Sequence, residues 1–373
     1  MAERRIPVSA PDLSGNEAAY VQECLASTWI SSKGDFLERF EQRFAEFCGA
    51  RFAIACNNGT SALHLALLAL GVGAGDEVIV PTLTYVASAN AVRYCNATPR
   101  FVDSLPGTWN LDPADVARKI GPRTKAIMPV HLFGAPAALG PLAGLAAEHG
   151  LAVVEDAAEA HGALHQGRMV GPLGNVGTFS FYGNKIVTTG EGGMVVTNDP
   201  ALCDALRLYK GQGQDPDRAY RFPVVGFNYR MTNVQAAIGL AQMESVEAKL
   251  AARARVAARY RSRLEGRLTL QATSPGDVNA NWMVVALLPG GGEAERDGVA
   301  ALLAGDGVET RPVFYPLHSQ PPYLPHEPDP GGYPVAVDVA ARGLCLPTWG
   351  GLADGDVDYV CERLLAAVER VIR

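Results

Sequence analysis

The chain has no apolar run approaching the roughly 20 residues that a membrane-crossing helix needs, no Cys-x-x-Cys pair and no surplus of basic residues. Each absence removes a class of function. A formal charge of -7 argues against generic binding to nucleic acid or to anionic membrane. The seven cysteines, at 24, 48, 56, 95, 203, 345 and 361, are odd in number and scattered, which fits reduced thiols rather than a disulfide framework or a zinc site; none is assigned a function. Also missing are H-E-x-x-H, Walker A, a G-x-S-x-G elbow and a first-turn G-x-G-x-x-G, the patterns of several competing chemistries. The opening residues, Met1-Ala-Glu-Arg-Arg-Ile-Pro7, lead into no apolar h-region, so a cytoplasmic location is expected.

What is present is an ordinary globular composition. With 373 residues, 48% hydrophobic and 19% charged, the chain can form one large α/β domain and a smaller one, expected over 1–245 and 246–373, with the N-terminal segment free to pack on the smaller. Ser14 followed by Glu17 reads as a capping box opening a helix over 14–28, and a second amphipathic helix is expected over 36–48. Between them, Trp29-Ile-Ser-Ser-Lys-Gly34 is a candidate binding loop, although a tryptophan between helices often only fills a core. Strands over 52–56, 77–80, 100–102, 126–130 and 151–154 then alternate with helices over 62–70, 87–94, 113–120 and 139–149. That rhythm predicts a mostly parallel sheet covered by helices on both faces, with ligands at the carboxyl ends of its strands. Further on, a strand over 194–197, a helix over 200–208, a long loop over 210–233 and one helix from 234 to about 264 lead to the smaller part. Strands there are expected over 281–288 and 308–314, helices over 298–303 and 354–372, and a loop over 321–334, rich in Pro, Gly and acids.

Thr178-Phe-Ser-Phe-Tyr-Gly-Asn-Lys185, closed by Gly190-Glu-Gly-Gly193, is the stretch that organises the rest. Phe179 and Phe181 alternate with Ser180 and Tyr182 as in a half-buried strand, and Lys185 falls in the turn where that strand stops. A lysine desolvated there is neutral often enough to attack a carbonyl. An exposed lysine is the commoner case, so distant residues must decide. Asn57-Asn-Gly-Thr-Ser61 opens a helix with backbone N–H groups and hydroxyls that suit a phosphate, or merely cap the helix. Asp156 ends an apolar strand, where a carboxylate is costly unless it meets a cation, a protonated ring nitrogen or a helix end. Tyr85 offers a flat face, and Ser180 a hydroxyl. Together these are the groups that pyridoxal phosphate needs: an amine for its aldehyde, an acid for its ring nitrogen, an aromatic face, and a helix terminus for its phosphate.

Seven motifs carry a family resemblance: Cys56-Asn-Asn-Gly-Thr60, Pro81-Thr-Leu-Thr-Tyr85, Pro129-Val-His-Leu-Phe-Gly134, Glu155-Asp-Ala-Ala-Glu159, Phe179-Ser-Phe-Tyr-Gly-Asn-Lys185, Gly226-Phe-Asn-Tyr-Arg-Met-Thr-Asn233 and Arg311-Pro-Val-Phe-Tyr-Pro-Leu-His318. From about residue 6 to 371 the chain resembles the DegT/DnrJ/EryC1/StrS sugar aminotransferases, of the fold type I, aspartate aminotransferase-like group. The resemblance implies an α/β fold, with a three-layer α/β/α large domain and a smaller C-terminal α+β domain. It implies pyridoxal 5'-phosphate held by Lys185 through a Schiff base, Asp156 on the ring nitrogen, Gly59, Thr60 and Ser180 on the phosphate, Tyr85 on the ring, and Asn228 supplied by the other subunit of a homodimer with shared active sites. Trp29, Ser31, Lys33, Glu191, Arg230, Arg311 and His318 are implied near the substrates. Those substrates are L-glutamate and a nucleotide-linked 4-keto-6-deoxy sugar aminated at C4. Much of the family has glutamine where this chain has Glu159, beside the cofactor's phenolic oxygen, so a proton must be shared there. Relatives that share this glutamate favour a GDP-linked acceptor, GDP-4-keto-6-deoxymannose, over a UDP- or dTDP-linked one. Related 3-dehydratases carry histidine in place of Lys185, so lysine favours amine transfer over dehydration; a nucleotide-sugar lyase or a catalytically silent PLP-fold protein is the alternative from a different class.

Overall fold

The computed structural model describes residues 4–326 and 332–372. Nine strands come first: β1 (Phe52–Cys56), β2 (Glu77–Pro81), β3 (Thr98–Val102), β4 (Thr124–Ile127), β5 (Ala152–Asp156), the short pair β6 (Leu164–His165) and β7 (Arg168–Met169), β8 (Val176–Ser180) and β9 (Gly193–Thr197). Seven of them make one sheet in the order β1-β9-β8-β5-β4-β2-β3. All its pairings are parallel except those of β9, which is antiparallel to both β1 and β8. Every residue of β2, β8 and β9 is buried, as expected of strands covered on both faces. In β2 the side chains divide: Val78 and Val80 join one core cluster, and Ile79 joins another with Val116 and Leu142 from the helices Pro113–Lys119 and Leu139–His149. Three layers follow from that division.

The helix Asp35–Cys48 buries Phe36, Phe40, Phe44 and Cys48, a spacing of four that keeps them on one face. Phe44 meets the Phe179 ring at 5.0 Å and the Phe181 ring at 5.2 Å, so this helix supports the chain leading to Lys185. The expected capping box at Ser14 does not form. The helix runs from Glu17 to Ser27 with Asn16 at its N-cap, and buried Glu17 instead accepts a hydrogen bond from the Gln242 amide at 2.6 Å, tying this helix to a distant one. The single helix expected to run to residue 264 is two, Asn233–Glu244 and Val246–Leu264, meeting at Ser245; Thr232 and Gln235 form a true capping box at its start.

A second, antiparallel sheet has the order β10 (Thr269–Leu270), β11 (Val284–Leu287), β13 (Gly343–Leu346), β12 (Arg311–Pro312). Its own core cluster gathers Val256, Tyr260, Leu264, Val299, Leu303, Val360 and Leu364 from three helices. Ile6 is buried in this cluster and bridges Val308. Strand β13 and the helix Pro334–Arg342 have no counterpart in the sequence reading, and residues 327–331 of the expected 321–334 loop lie outside the described residues. Among the described residues no helix is long and apolar enough to cross a membrane.

Candidate active site

Strands β1, β2, β5 and β8 end at one edge of the large sheet, and reversed β9 begins there. A cavity of about 640 Å³ opens at that edge, lined by Asn58, Gly59, Thr60, Tyr85, Asp156, Glu159, Ser180, Lys185, Glu191, Trp282 and Arg311 among others. Lys185 follows the tight turn beyond β8, where its backbone N–H donates to the Tyr182 carbonyl at 2.9 Å. Its Nζ lies 3.7 Å from Glu159 Oε1 and 4.0 Å from the centre of the Trp282 ring. Burial lowers the Lys185 pKa, against the opposing pull of the Glu159 and Asp156 charges. The neutral, nucleophilic amine is therefore more accessible than in an exposed lysine. Glu159 is buried as well, and its carboxyl is pushed up to about 7 by desolvation, held back by Lys185 and by the Phe133 N–H. That N–H donates to Oε2 at 2.8 Å.

Asp156 ends β5 with its carboxylate buried, and desolvation raises its pKa. Ser88 donates its hydroxyl to Oδ2 at 2.7 Å, and the Ala158 N–H donates to Oδ1 at 3.2 Å. The neighbouring acid has a different task. Glu155 accepts from the N–H groups of Gly171, Leu173 and Gly174 at 2.7, 2.8 and 2.6 Å and pairs with His131 Nε2 at 3.0 Å. Since the Ala137 N–H donates to His131 Nδ1, the ring proton sits on Nε2 and points at Glu155. Glu155 thus braces the loops behind the sheet, leaving Asp156 to face the cavity.

Across the cavity, the helix Gly59–Ala69 begins with Asn58 as its cap, the side chain accepting the Ser61 N–H at 2.8 Å. The N–H groups of its first turn have no intrahelical acceptor. Gly59 is fixed by space: a Cβ there would lie 2.8 Å from Ser180 Cβ. Backbone, Ser180 hydroxyl and Thr60 thereby converge on one small pocket. A buried amine, a buried carboxylate at the end of the neighbouring parallel strand and this anion-ready helix terminus fit pyridoxal phosphate.

Of the residues singled out in the sequence, Gly59, Thr60, Tyr85, Asp156, Glu159, Ser180, Lys185, Glu191 and Arg311 share this cavity. Tyr85 is largely exposed and its ring meets Phe314 at 5.8 Å. Trp29, Lys33 and Arg230 line a separate cavity of about 830 Å³. Asn228 lines neither; its side-chain oxygen accepts two hydrogen bonds from Arg230 at 3.2 and 3.1 Å. Exposed Ser31 accepts the Asn233 N–H through its carbonyl at 2.6 Å. His318 is buried away from the cavity, 2.7 Å from Thr82 Oγ1 and stacked on Tyr333 at 4.3 Å. The sequence reading missed Ser88, which faces Asp156, and Trp282, which faces Lys185. His64 also lines the cavity, its ring contacting Tyr229 Oη at 3.2 Å.

A lysine, an aspartate and a helix terminus disposed in this way on a seven-stranded sheet with one reversed strand define a fold type I pyridoxal phosphate enzyme. The chain belongs to the DegT/DnrJ/EryC1/StrS aminotransferase family, whose model matches residues 11–365, and it is a pyridoxal phosphate-dependent aminotransferase. It is 53% identical over 371 residues to a GDP-perosamine synthase of Caulobacter vibrioides, covering 99% of this chain and 98% of that one. To a GDP-perosamine synthase of Escherichia coli O157:H7 it is 47% identical, covering 96% and 97%. The PLP-form of the Streptococcus pneumoniae protein Spr1654 superposes with a TM-score of 0.95 at 27% identity, covering 99% of this chain and 100% of that one.

Proposed function

We propose that this chain transfers the amino group of L-glutamate to C4 of GDP-4-keto-6-deoxymannose, yielding GDP-perosamine for a surface polysaccharide, in the cytoplasm. The observation that carries the reading is the Lys185 amine, desolvated and flanked by Glu159 in a cavity roomy enough for a cofactor and a sugar. The names and identities of the two relatives support the choice of a GDP-linked acceptor.

Pyridoxal phosphate, when bound, supplies an electron sink for the carbon that gives up its proton. The chain does the rest. Neutral Lys185 Nζ takes that proton, and as an ammonium it returns one, serving as base and then as acid. Asp156 holds a proton on the ring nitrogen through its buried charge, with Ser88 and the Ala158 N–H keeping the carboxylate aligned. Gly59, Thr60, Ser180 and the start of the helix Gly59–Ala69 would hold the phosphate, and Tyr85 would lie against the ring. Glu159 shares a proton with the phenolic oxygen, which its raised pKa permits. Glu191 and Arg311 bind substrate in the same cavity. Trp29, Ser31, Lys33, Arg230 and Asn228 reach a neighbouring site from the other subunit of a homodimer, and His318, bound to Thr82, acts on the substrate side only through the Pro81–Tyr85 segment that carries Tyr85. Residues 1–245 and 246–373 act as the large and small domains.

The purified protein should convert GDP-4-keto-6-deoxymannose, with labelled L-glutamate, to labelled amino sugar faster than it converts UDP- or dTDP-linked 4-keto sugars. Absence of labelled amino sugar from every acceptor would sink the proposal, and preference for a UDP- or dTDP-linked acceptor would replace the GDP assignment.

A further inference from the structure

Trp282 stands 97 residues from Lys185 in sequence and belongs to the segment entering β11, yet its ring centre lies 4.0 Å from Lys185 Nζ. The surrounding chain is built to put it there. Its indole N–H donates to the Asn184 carbonyl at 3.0 Å, beside the lysine itself. Its own carbonyl accepts from buried Arg253 at 2.9 Å, and the same guanidinium nitrogen reaches the Thr348 carbonyl. The ring lies 6.4 Å from Phe133, nearly parallel at 10°. Two of the supporting residues adopt the left-handed region, Phe133 at φ 56° and Asn281 at φ 52°, which side chains other than glycine seldom occupy. Gly134 makes the approach feasible. At φ +100°, it has no room for a Cβ, which would lie 3.0 Å from the Asn281 nitrogen and 3.1 Å from that of Trp282.

The π face of an indole attracts an ammonium and has no comparable attraction for a neutral amine. The geometry points to Trp282 as a positioning residue that holds Lys185 in its protonated state while the lysine carries a proton between two carbon atoms. This rests on the aminotransferase reading above. Nζ accepts a proton on its lone pair and later releases one, so the amine ends each cycle unchanged and neither oxidant nor reductant is consumed. During that interval the ammonium sits in a desolvated cavity where one carboxylate, Glu159, is 3.7 Å away, and the indole face is its second partner. The other charged or titratable groups around it are Asp156, Arg253 behind the tryptophan and His161, with His64, Tyr85, Tyr94, Tyr182, Glu191, Tyr229 and Arg311 on the cavity walls.

The test reads the lysine directly. Wild type, Trp282→Phe and Trp282→Leu are loaded with pyridoxamine 5'-phosphate, which leaves the Lys185 amine free whether or not glutamate is the natural donor. Acylation of Lys185 is then followed across pH by peptide mass mapping. Trp282→Leu should reach half-maximal labelling about one pH unit lower than wild type, and Trp282→Phe should fall between them because it keeps a ring while losing the hydrogen bond to Asn184. Identical midpoints in wild type and Trp282→Leu overturn the proposal. Equal shifts in the two variants also overturn it, assigning the effect to the hydrogen bond. If Trp282→Leu does not fold, Trp282→Met, which also lacks both the ring and the hydrogen bond to Asn184, takes its place and is judged by the same two outcomes. Loading by glutamate, seen as loss of visible absorption in the wild type, is scored separately and bears on the proposed function alone.

Discussion

Glu159 shows what burial does to one side chain. Its carboxyl ionises near 4.5 in an unfolded chain and near 7 in the folded one. Between those values the folded chain binds more protons than the unfolded chain. The stability contributed by the protonated form is therefore complete below about pH 4.5 and is lost as pH rises through about 7. Glu159→Gln removes the titration and keeps an acceptor for the Phe133 N–H. In the cofactor-free protein, the Tm of this variant relative to wild type should rise from about pH 4.5 to about pH 7 and then level off; a difference that stays flat with pH would contradict the assignment. Lys185→Ala is the other informative residue. It should abolish transfer and remove the borohydride-sensitive visible absorption of the protein incubated with pyridoxal phosphate. Retention of that absorption would place the attachment on another lysine.

At the scale of elements, the phosphate end depends on the close approach of a helix to a strand end. Gly59→Ala would press a Cβ against Ser180, a clash of the kind that costs roughly 1–3 kcal/mol. If the strain falls on the helix start, pyridoxal phosphate affinity should drop about tenfold by fluorescence titration, with little change in the far-UV spectrum. Phe44→Ala tests the support beneath Lys185. Its ring meets Phe179, Phe181 and His161, and truncation should lower stability by about 3–5 kcal/mol in denaturant unfolding. The helices over 87–94 and 139–149 were legible to the residue because their apolar periodicity is local. The break at Ser245 was not, since Gln242-Met-Glu-Ser-Val-Glu247 holds neither Gly nor Pro to mark it. The helix Pro334–Arg342 was hidden by the Pro- and Gly-rich stretch before it. Its N-terminal N–H groups, at Val335 and Ala336, find their acceptor in Asp103, a partner 233 residues away for Ala336 that no pattern names.

For the whole molecule, the decisive fact is that Asn228 and Arg230 bind each other and lie outside the cavity that holds Lys185. The proposed homodimer can be tested by mixing subunits. If Asn228 serves the partner's site, co-refolded Lys185→Ala and Asn228→Ala chains should regain about a quarter of wild-type activity, because random pairing gives about half mixed dimers with one intact site each. Recovery no greater than the average of the two parents would rule out shared sites. The same scale explains why the site was only partly readable in advance. Asp156, Ser180 and Lys185 follow strand ends, where a parallel sheet gathers its ligands. Trp282 and Ser88 come from a separate sheet and from a helix flank, and only the closed fold brings them to their partners.

The reversal of β9 has a mechanical consequence. Ser180 and Gly193 face each other across the β8–β9 pair, so the chain leaves the sheet at one strand and re-enters it at the adjacent one, on the same edge. The segment bearing Lys185 is therefore an arch with both feet on one foundation. Load applied at its crown returns to two hydrogen-bonded strands. A displacement of the β10–β13 sheet would change what surrounds the amine, through Trp282 and Arg311, without moving the footing on which the amine stands.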